Sequence, residues 1–577
     1  MLEARLPVEA IVQDRSEWLL FSEPRRVVMA ERAGDVRAAI REVERLTRDA
    51  GWHAVGWVAF EAGQAFDLPV HQTPAPCPLV WFALFEPSSV QRTRTVPPGG
   101  AYTLGPVTPS LTAASFAERF ARIKAHIGAG DCYQANFTFG ATASFRGDPR
   151  GLFADLVQAQ RGAYSAYVAT GDLAVCSASP ELFFELDGAI VRTRPMKGTA
   201  RRGLTTDDDE RAQARLSASA KERAENVMIV DMMRNDLGRI ADVGSVRVPS
   251  LFDVERYPTV WQMTSQVEAR SLAPLDEVFA ALHPSASVTG APKVRTLEIL
   301  ASLEAGPRGI YTGAIGYVPP DGNARFNVAI RTAVVAPGAG LVQFGVGSGI
   351  VWDSDANAEY DECLLKAAVL GRRPQDVQLL ETLRWTPSAG FFVLDRHLAR
   401  LEASARYFDV PCWRADVTRA LDEAVQGRTV AQRVRLLLHP HTGITVEAVP
   451  LPEVQPTARV AWAARPVSSD DVWLYHKTTR RQVYDEARKS RPDVDDVLLW
   501  NERGELTEST IANVVIELDG ERVTPPIACG LLAGTYRAEL LARGELREAV
   551  IERSRVGEAR LWLINSVQEW RLAELVP

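Results

Sequence analysis

The sequence predicts two α+β domains in tandem, and three observations carry that prediction. At 577 residues the chain exceeds what a single hydrophobic core organises. A helical run from Glu359 to Leu370 stops at Gly371-Arg-Arg-Pro374, a glycine and then a proline, which marks a boundary. On both sides of that boundary, alternating strand patterns are mixed with amphipathic helical runs. The expected division is residues 1–370, a linker at 371–375 and residues 376–577. Within the first part, residues 1–110 form an N-terminal portion and residues 111–370 a core.

Taken in order, Val96 to Ser110 holds Pro97-Pro98-Gly99-Gly100, Gly105-Pro106 and Pro109, and reads as an exposed connection. Glu222 to Leu237 and Glu359 to Leu370 carry helical apolar stripes. Phe326 to Val335 and Gly340 to Val346 alternate as strands. Beyond residue 375 the pattern predicts a helix near Asp395 to Tyr407 and strands near Val434 to Leu438 and Val494 to Trp500. There is no internal repeat and no low-complexity segment.

Composition excludes several classes. The hydrophobic fraction is 46% and the charged fraction 24%, ordinary for a globular protein. A net charge of −8, with no basic stripe, gives no reason to expect nucleic acid. No apolar stretch approaches the ~20 residues needed to span a bilayer, and the N-terminus lacks a basic region followed by an apolar one. The six cysteines are scattered without a Cys-x-x-Cys pair, which disfavours a disulfide framework or a structural zinc site. The expectation is a cytoplasmic enzyme.

The first constellation is acidic. Glu222 and Glu225 share one face of a helix, and Glu359, Glu362 and Lys366 share a face of another. Such carboxylates suit Mg²⁺, a hard cation that completes its octahedron with water or substrate oxygens. On spacing alone, two solvated helix faces with Glu362 and Lys366 as an ion pair explain the same residues. Four motifs then occur in order: Ser287-Val-Thr-Gly-Ala-Pro-Lys293, Gly309-Ile-Tyr-Thr-Gly-Ala-Ile-Gly316, Ala329-Ile-Arg331 and Gly345-Val-Gly-Ser-Gly349. With the acidic helices, these closely resemble the chorismate-utilising family from about Phe116 to Leu370. The preceding segment, with Gly56-Trp-Val-Ala-Phe-Glu-Ala62, resembles that family's N-terminal portion.

The resemblance implies a two-sheet α/β sandwich for residues 1–370. It implies that Glu225 and Glu362, with Glu222, hold Mg²⁺, and that Lys366 lies close by. Arg331, Tyr311, Gly347 and Ser348 would bind the enolpyruvyl carboxylate of chorismate, where an Arg fork matches a carboxylate and glycines admit backbone donors. Thr289 and Gly290 would line the pocket, and Lys293 has no assigned role. Gly345-x-Gly-x-Gly lacks the spacing and the acidic partner of a dinucleotide loop.

Within the family, the run Arg194-Pro-Met-Lys-Gly-Thr199 resembles the aminodeoxychorismate synthases, which carry a lysine where anthranilate synthases carry alanine. The resemblance makes Lys197 the nucleophile at ring carbon C2 and Glu181, in Ser179-Pro-Glu181, the acid that protonates the departing C4 hydroxyl. A lysine nucleophile must shed its proton, against an ordinary pKa of ~10.4. Relatives commonly have histidine where Gln262 stands, and glutamine cannot carry a proton near neutral pH. No glutaminase module is present in the sequence, so ammonia is expected from a separate glutamine amidotransferase subunit.

The second constellation follows the boundary: Leu380-Glu-Thr-Leu-Arg-Trp385, Leu394-Asp-Arg-His-Leu-Ala-Arg-Leu401, Tyr475-His-Lys477, Gly504 to Asn513 and Gly530 to Arg537. In this order the pieces resemble fold-type IV pyridoxal phosphate enzymes, a group containing aminotransferases and 4-amino-4-deoxychorismate lyase. The resemblance implies that Lys477 attaches the cofactor and Glu508 faces its pyridine nitrogen. Arg400, Gly534 and Thr535 would hold the phosphate, while Ser509, Thr510 and Asn513 flank the ring. It also implies a homodimer through the C-terminal domain. His439 and His441, lacking carboxylate partners, read as a turn. The leading expectation is two-step synthesis of 4-aminobenzoate. The alternatives are an anthranilate- or isochorismate-type synthase fused to a class IV aminotransferase, and a synthase with a non-catalytic binding module.

Overall fold

The structure is a computed structural model that describes residues 7–71, 74–371, 377–440, 442–518, 520–557 and 559–577. All of the expected linker except Gly371 lies outside these residues, as does His441. The chain divides into two compact units: Met1–Arg201 with Gln213–Pro374, and Arg202–Ala212 with Gln375–Pro577. The short stretch Arg202–Ala212, expected in the first domain, therefore groups with the second.

The first unit is built on two large antiparallel sheets. One runs Gly290–Ala291, Gln134–Gly147, Leu341–Ile350, Thr332–Ala336, Ala174–Ser179, Tyr164–Ala169, Glu9–Asp14, Glu17–Ser22, Val90–Thr93. The other runs Met196–Arg201, Val260–Arg270, Ile190–Arg194, Leu182–Asp187, Ala324–Val328, Ala314–Val318, His53–Val58, Val80–Phe85, Arg26–Ala30. Inward side chains of both sheets form a shared interior around Phe21, Trp57, Trp81, Val168 and Ile315, as alternation along strands requires. Helices cover the outer faces. Ala33–Ala50, Ala220–Gly238 and Leu275–Leu282 pack on the second sheet; Ala113–Gly128, Pro149–Gln160 and Ala356–Ala367 pack on the first.

Two expectations are corrected. Phe326 to Val335 is two strands, Ala324–Val328 in one sheet and Thr332–Ala336 in the other. The chain changes sheets at Ala329-Ile-Arg331, and Arg331 turns it in the left-handed region at φ 52°. Both strands are apolar and extended, so alternation alone cannot register a crossover between sheets. Val96 to Ser110 is also more than a connection: Tyr102–Leu104 and Thr108–Pro109 pair with Gln134–Gly147.

The second unit contains a four-stranded antiparallel sheet, Gly390–Phe391, Leu379–Thr386, Gln432–His439, Gly443–Pro450, covered by helices Leu394–Phe408 and Arg414–Val425. An eight-stranded mixed sheet follows, with Thr457–Trp462 parallel to both Asp496–Trp500 and Glu569–Leu575. Among the described residues no helix is long and apolar enough to cross a membrane.

Lys293, unassigned from sequence, proves to be a tie within the first unit. Its Nζ lies 2.6 Å from Asp236 Oδ2 at the end of helix Ala220–Gly238, and both side chains are nearly buried. Removing one member of such a pair strands the other charge away from water. Lys293→Met should lower first-unit stability by about 3 kcal/mol in denaturant unfolding. The double variant Lys293→Met with Asp236→Leu should recover most of that loss, because no lone buried charge remains.

Candidate active sites

In the first unit, an irregularity in strand pairing sets the position of Lys197. Strand Met196–Arg201 pairs with Val260–Arg270 through Met196↔Thr264 and Thr199↔Gln262, and the register shifts between those pairs. The shift falls on Lys197-Gly198, where Gly198 takes φ 101°. A bulge of this kind re-aims a side chain out of the regular alternation, and glycine accommodates the positive φ without strain. Gln262 locks it: its Nε2 donates to Gly198 O at 2.9 Å and its Oε1 accepts from the Thr199 hydroxyl at 2.9 Å. Asn226 donates to Lys197 O at 3.0 Å and is held in turn by the Ser265 hydroxyl at 2.6 Å. Gln262 thus works as a clamp on the lysine strand.

Lys197 Nζ sits 3.5 Å from Glu225 Oε2. It also closes on Gly349, where a Cβ would come within 2.7 Å of Nζ. Glu222, one helical turn from Glu225, is pushed above the usual carboxylate range by burial and by its neighbour's like charge. Glu362 pairs with Lys366 at 2.5 Å, and Lys366 reaches on to Gly347 O at 2.9 Å. Burial alone would raise the Glu362 carboxyl, but Lys366 holds it below its ordinary value. Among the described residues no three His, Cys, Asp or Glu side chains gather closely enough to hold a metal ion. Glu225 and Glu362 are met by lysines instead. Glu222 and Glu225 are oxygen donors of the kind Mg²⁺ takes, and Mg²⁺ needs only one or two carboxylates from the protein.

Glu181 differs from these acids. It is buried, Oε1 has no partner among the described residues, and burial pushes its carboxyl up to about 7 despite hydrogen bonds from Ser287 and the Met196 N–H and the nearby Lys197 charge. A carboxyl at that value is about half protonated near neutrality and can both give up and take back a proton.

The remaining expected residues form the walls. A Cβ at Gly345 would come within 2.1 Å of the Tyr311 ring, so glycine lets that ring lie against strand Leu341–Ile350. Arg331 Nη1 donates to Lys366 O at 3.4 Å. Gly347 and Ser348 pair with Thr138 and Phe137. Thr289 is buried and its hydroxyl donates to Ser285 O at 3.1 Å; Gly290 takes φ 156° against Gln134 O. Sequence reasoning missed Gln134. It is fully buried, and neither Oε1 nor Nε2 has a partner among the described residues. Its Nε2 would lie 3.5 Å from a Cβ on Gly349, the same spot that Lys197 Nζ approaches. An unsatisfied buried amide is costly, which marks it as facing a polar ligand.

In the second unit, Lys477 is partly buried, and the loss of water around it together with the Arg400 charge lowers its ammonium to about 8. Glu508 is buried and pushed up to about 7, accepting at Oε1 from the Tyr484 hydroxyl (2.8 Å) and Leu532 N (3.1 Å), and at Oε2 from Asn513 Nδ2 (3.3 Å). Arg400 reaches the loop before helix Thr535–Ala542 by donating to Ala533 O at 3.0 Å. The rest of its fork is held by Glu381, at 2.8 and 2.6 Å. His397 joins them, with Nδ1 2.6 Å from Glu381 and Nε2 3.2 Å from the Thr535 hydroxyl. Burial would raise the Glu381 carboxyl, but Arg400 and His397 bring it down to about 2.

Gly534 caps the N-terminus of Thr535–Ala542, and a Cβ there would strike Asn513 Oδ1 at 1.8 Å. Ser509 bonds Ala512 O at 2.9 Å, and Thr510 N bonds Asp496 at 3.2 Å. Glu381, His397 and Tyr484 were not singled out from the sequence. His439 ends strand Gln432–His439, opposite Gly443, rather than lying in a turn, and its Nδ1 accepts from Thr442 N at 2.9 Å. A partly buried lysine with a lowered pKa, a buried acid and a glycine-capped helix are the donor set that pyridoxal phosphate needs, so these residues fit that cofactor.

Residues 7–372 match the chorismate binding enzyme family and residues 378–574 match amino-transferase class IV. Among curated relatives, aminodeoxychorismate synthase component 1 of Klebsiella aerogenes is 42% identical over 272 residues, 47% of this chain and 60% of that protein. Anthranilate synthase component 1 of Streptomyces coelicolor is also 42% identical, over 266 residues, 46% of this chain and 52% of that protein. The chain thus spans less than two thirds of the length of these relatives. The fold is shared with the menaquinone-specific isochorismate synthase MenF of Escherichia coli, at 18% identity and a TM-score of 0.52, covering 64% of this chain and 89% of that one. The chain belongs to the chorismate binding enzyme family and carries a class IV amino-transferase domain behind it.

Proposed function

We propose that this chain makes 4-aminobenzoate in two steps. The first unit aminates chorismate to 4-amino-4-deoxychorismate, and the second removes pyruvate from that product. The observation that carries the reading is Lys197, aimed by its bulge and set near the buried carboxyl of Glu181, which burial pushes up to about 7. Overall identity is the same to an aminodeoxychorismate synthase and to an anthranilate synthase, so it cannot choose between them, whereas a lysine at this point can.

In the first step Lys197 attacks ring carbon C2 while Glu181 gives its proton to the departing C4 hydroxyl. Ammonia then enters at C4 and releases the lysine; Gln134, with an unsatisfied amide beside Lys197, is placed to orient it. Glu225 and Glu362, with Glu222, would hold Mg²⁺, which offsets the charge of the ring carboxylate. Arg331, Tyr311 and the backbone at Gly347 and Ser348 take the enolpyruvyl carboxylate. The ammonia is supplied by a glutamine amidotransferase partner, consistent with relatives named as a component 1.

In the second step pyridoxal phosphate, when bound, supplies an electron sink. Arg400, Gly534 and Thr535 hold its phosphate end and Glu508 faces its ring nitrogen. Lys477, with its ammonium brought down to about 8, moves a ring proton, and loss of pyruvate then leaves an aromatic ring.

With chorismate, Mg²⁺ and ammonium salt, the chain should form 4-aminobenzoate, followed by chromatography. Anthranilate or isochorismate as the product overturns the reading. Lys197→Ala should lower amination at least about a hundredfold, whereas Lys477→Ala should let 4-amino-4-deoxychorismate accumulate. Glu181→Gln separates activity from stability. The unfolded Glu181 carboxyl ionises near its model value of 4.5 and the folded one near 7, so its burial costs increasingly more stability as pH rises between these values and a constant amount above. The glutamine variant should therefore melt higher than the parent near pH 8, with the gap shrinking toward pH 4, while amination falls sharply.

A further inference from the structure

Residues 202–209 lie inside the stretch that matches the chorismate binding family, yet they pack within the second unit. Arg202 stacks on the Tyr407 ring, 4.2 Å from its centroid, and donates to Tyr407 O at 2.9 Å. Its Nε pairs with Asp209 at 2.6 Å, with both side chains buried. The Tyr407 hydroxyl returns a bond to Gly203 O at 2.8 Å, and the Thr206 hydroxyl donates to Ala403 O at 2.9 Å. The segment therefore grips the end of helix Leu394–Phe408, the helix that also carries His397 and Arg400.

A further bond reaches toward Lys477. Leu204 O lies 3.1 Å from Nε2 of His476, whose Nδ1 lies 3.0 Å from the Ser404 hydroxyl. His476 is 4% exposed and is packed by the Tyr407 and Phe408 rings, 4.4 and 4.9 Å from its own. Burial lowers its imidazolium to about 4, so it is neutral at physiological pH. A neutral imidazole has one N–H, and the Leu204 carbonyl accepts only from Nε2–H, which leaves Nδ1 to accept from Ser404. The next residue is Lys477, whose own carbonyl accepts from Leu380 N at 2.9 Å. The backbone that presents Lys477 is thus pinned on one side by the His476 ring and on the other by Leu380.

We propose that residues 202–209 are a strap that positions the cofactor lysine: the Leu204 carbonyl fixes the tautomer and ring of His476, and His476 holds the backbone from which Lys477 projects. The proposal rests on reading the second unit as a pyridoxal phosphate site. His476, Leu204 and Arg202 touch none of the reacting atoms in this scheme and act through Lys477.

The test uses the full chain loaded with pyridoxal phosphate. Asp209→Asn weakens the clamp on Arg202 and Gly203, Tyr407→Phe removes the bond to Gly203 O, and His476→Phe removes the ring bonds while keeping the packing. The strap predicts an altered visible circular dichroism of the bound cofactor in each variant, and cofactor release about tenfold faster after dilution, the factor carried by one buried hydrogen bond. His476→Gln, which keeps a donor, should recover part of both. Variants that match the parent in both readouts overturn the strap. Where a variant fails to fold, hydrogen exchange on the unsubstituted chain decides. Loading the cofactor should add protection at the amides of 202–209, and unchanged exchange there overturns the strap. A parent chain that takes up no pyridoxal phosphate, judged by the absence of a visible band, overturns the cofactor reading itself and the strap with it.

Discussion

Removing a carboxylate from water is expensive, and the way each buried acid in this chain meets that expense decides what it can do. A buried acid has two stable outcomes: it finds cations, or it keeps its proton. Glu381 takes the first course. Arg400 grips it with two nitrogens and His397 adds a third contact, so it stays ionised with its carboxyl near 2. That ion cluster is a rigid support that points Arg400 at the loop before Thr535–Ala542. Glu181 and Glu508 take the second course: the hydrogen bonds each accepts do not offset its burial, and both lie near 7. Each can therefore give up or take back a proton near neutral pH.

Backbone geometry supplies what charge alone cannot. Lys197 would alternate out of the pocket if its strand were regular; the bulge at Gly198, held by Gln262 and Asn226, turns it toward Glu225 and Gly349. Gly345 and Gly349 then matter through the side chain they lack, since the Tyr311 ring and the Lys197 ammonium occupy the space a Cβ would fill. A hydrogen-bonding clamp at residue 262 serves this purpose without titrating, which accounts physically for a glutamine there.

What could be read from the sequence divides along physical lines. Helices Ala220–Gly238, Ala356–Ala367 and Leu394–Phe408 were legible because one apolar stripe packs on one sheet face, and their acids and bases came with them. The motif glycines were legible because short dense runs of small residues have few other uses. The crossing at Ala329-Ile-Arg331 was not, because both of its flanking strands are buried and apolar whichever sheet they join. Gln134 and Glu381 were not legible either: a lone glutamine or glutamate in a strand is ordinarily solvated, and only three-dimensional burial shows that these are not. Arg202–Ala212 follows directly on the lysine strand and carries charges typical of a surface loop, so nothing local assigned it to the second unit.

The two halves of the assignment therefore rest on different kinds of support. The fold and family of the first unit follow from its match across residues 7–372, and any member of the family would share them. The proposed reaction type rests on a handful of contacts that overall identity does not weigh, since 42% identity is reached equally with proteins named for two different products. A nucleophilic lysine must be paired with a proton donor for the leaving hydroxyl and with an acceptor for the proton it sheds before attack. Glu181 lies near Lys197 and Glu225 Oε2 lies 3.5 Å from its Nζ, and a solvated lysine in a turn would have neither. The proposed product would keep an enolpyruvyl ether and a ring hydrogen that must both leave before the ring becomes aromatic. A lysine with a lowered pKa is the group such a proton transfer calls for, and Lys477 supplies one on the same chain.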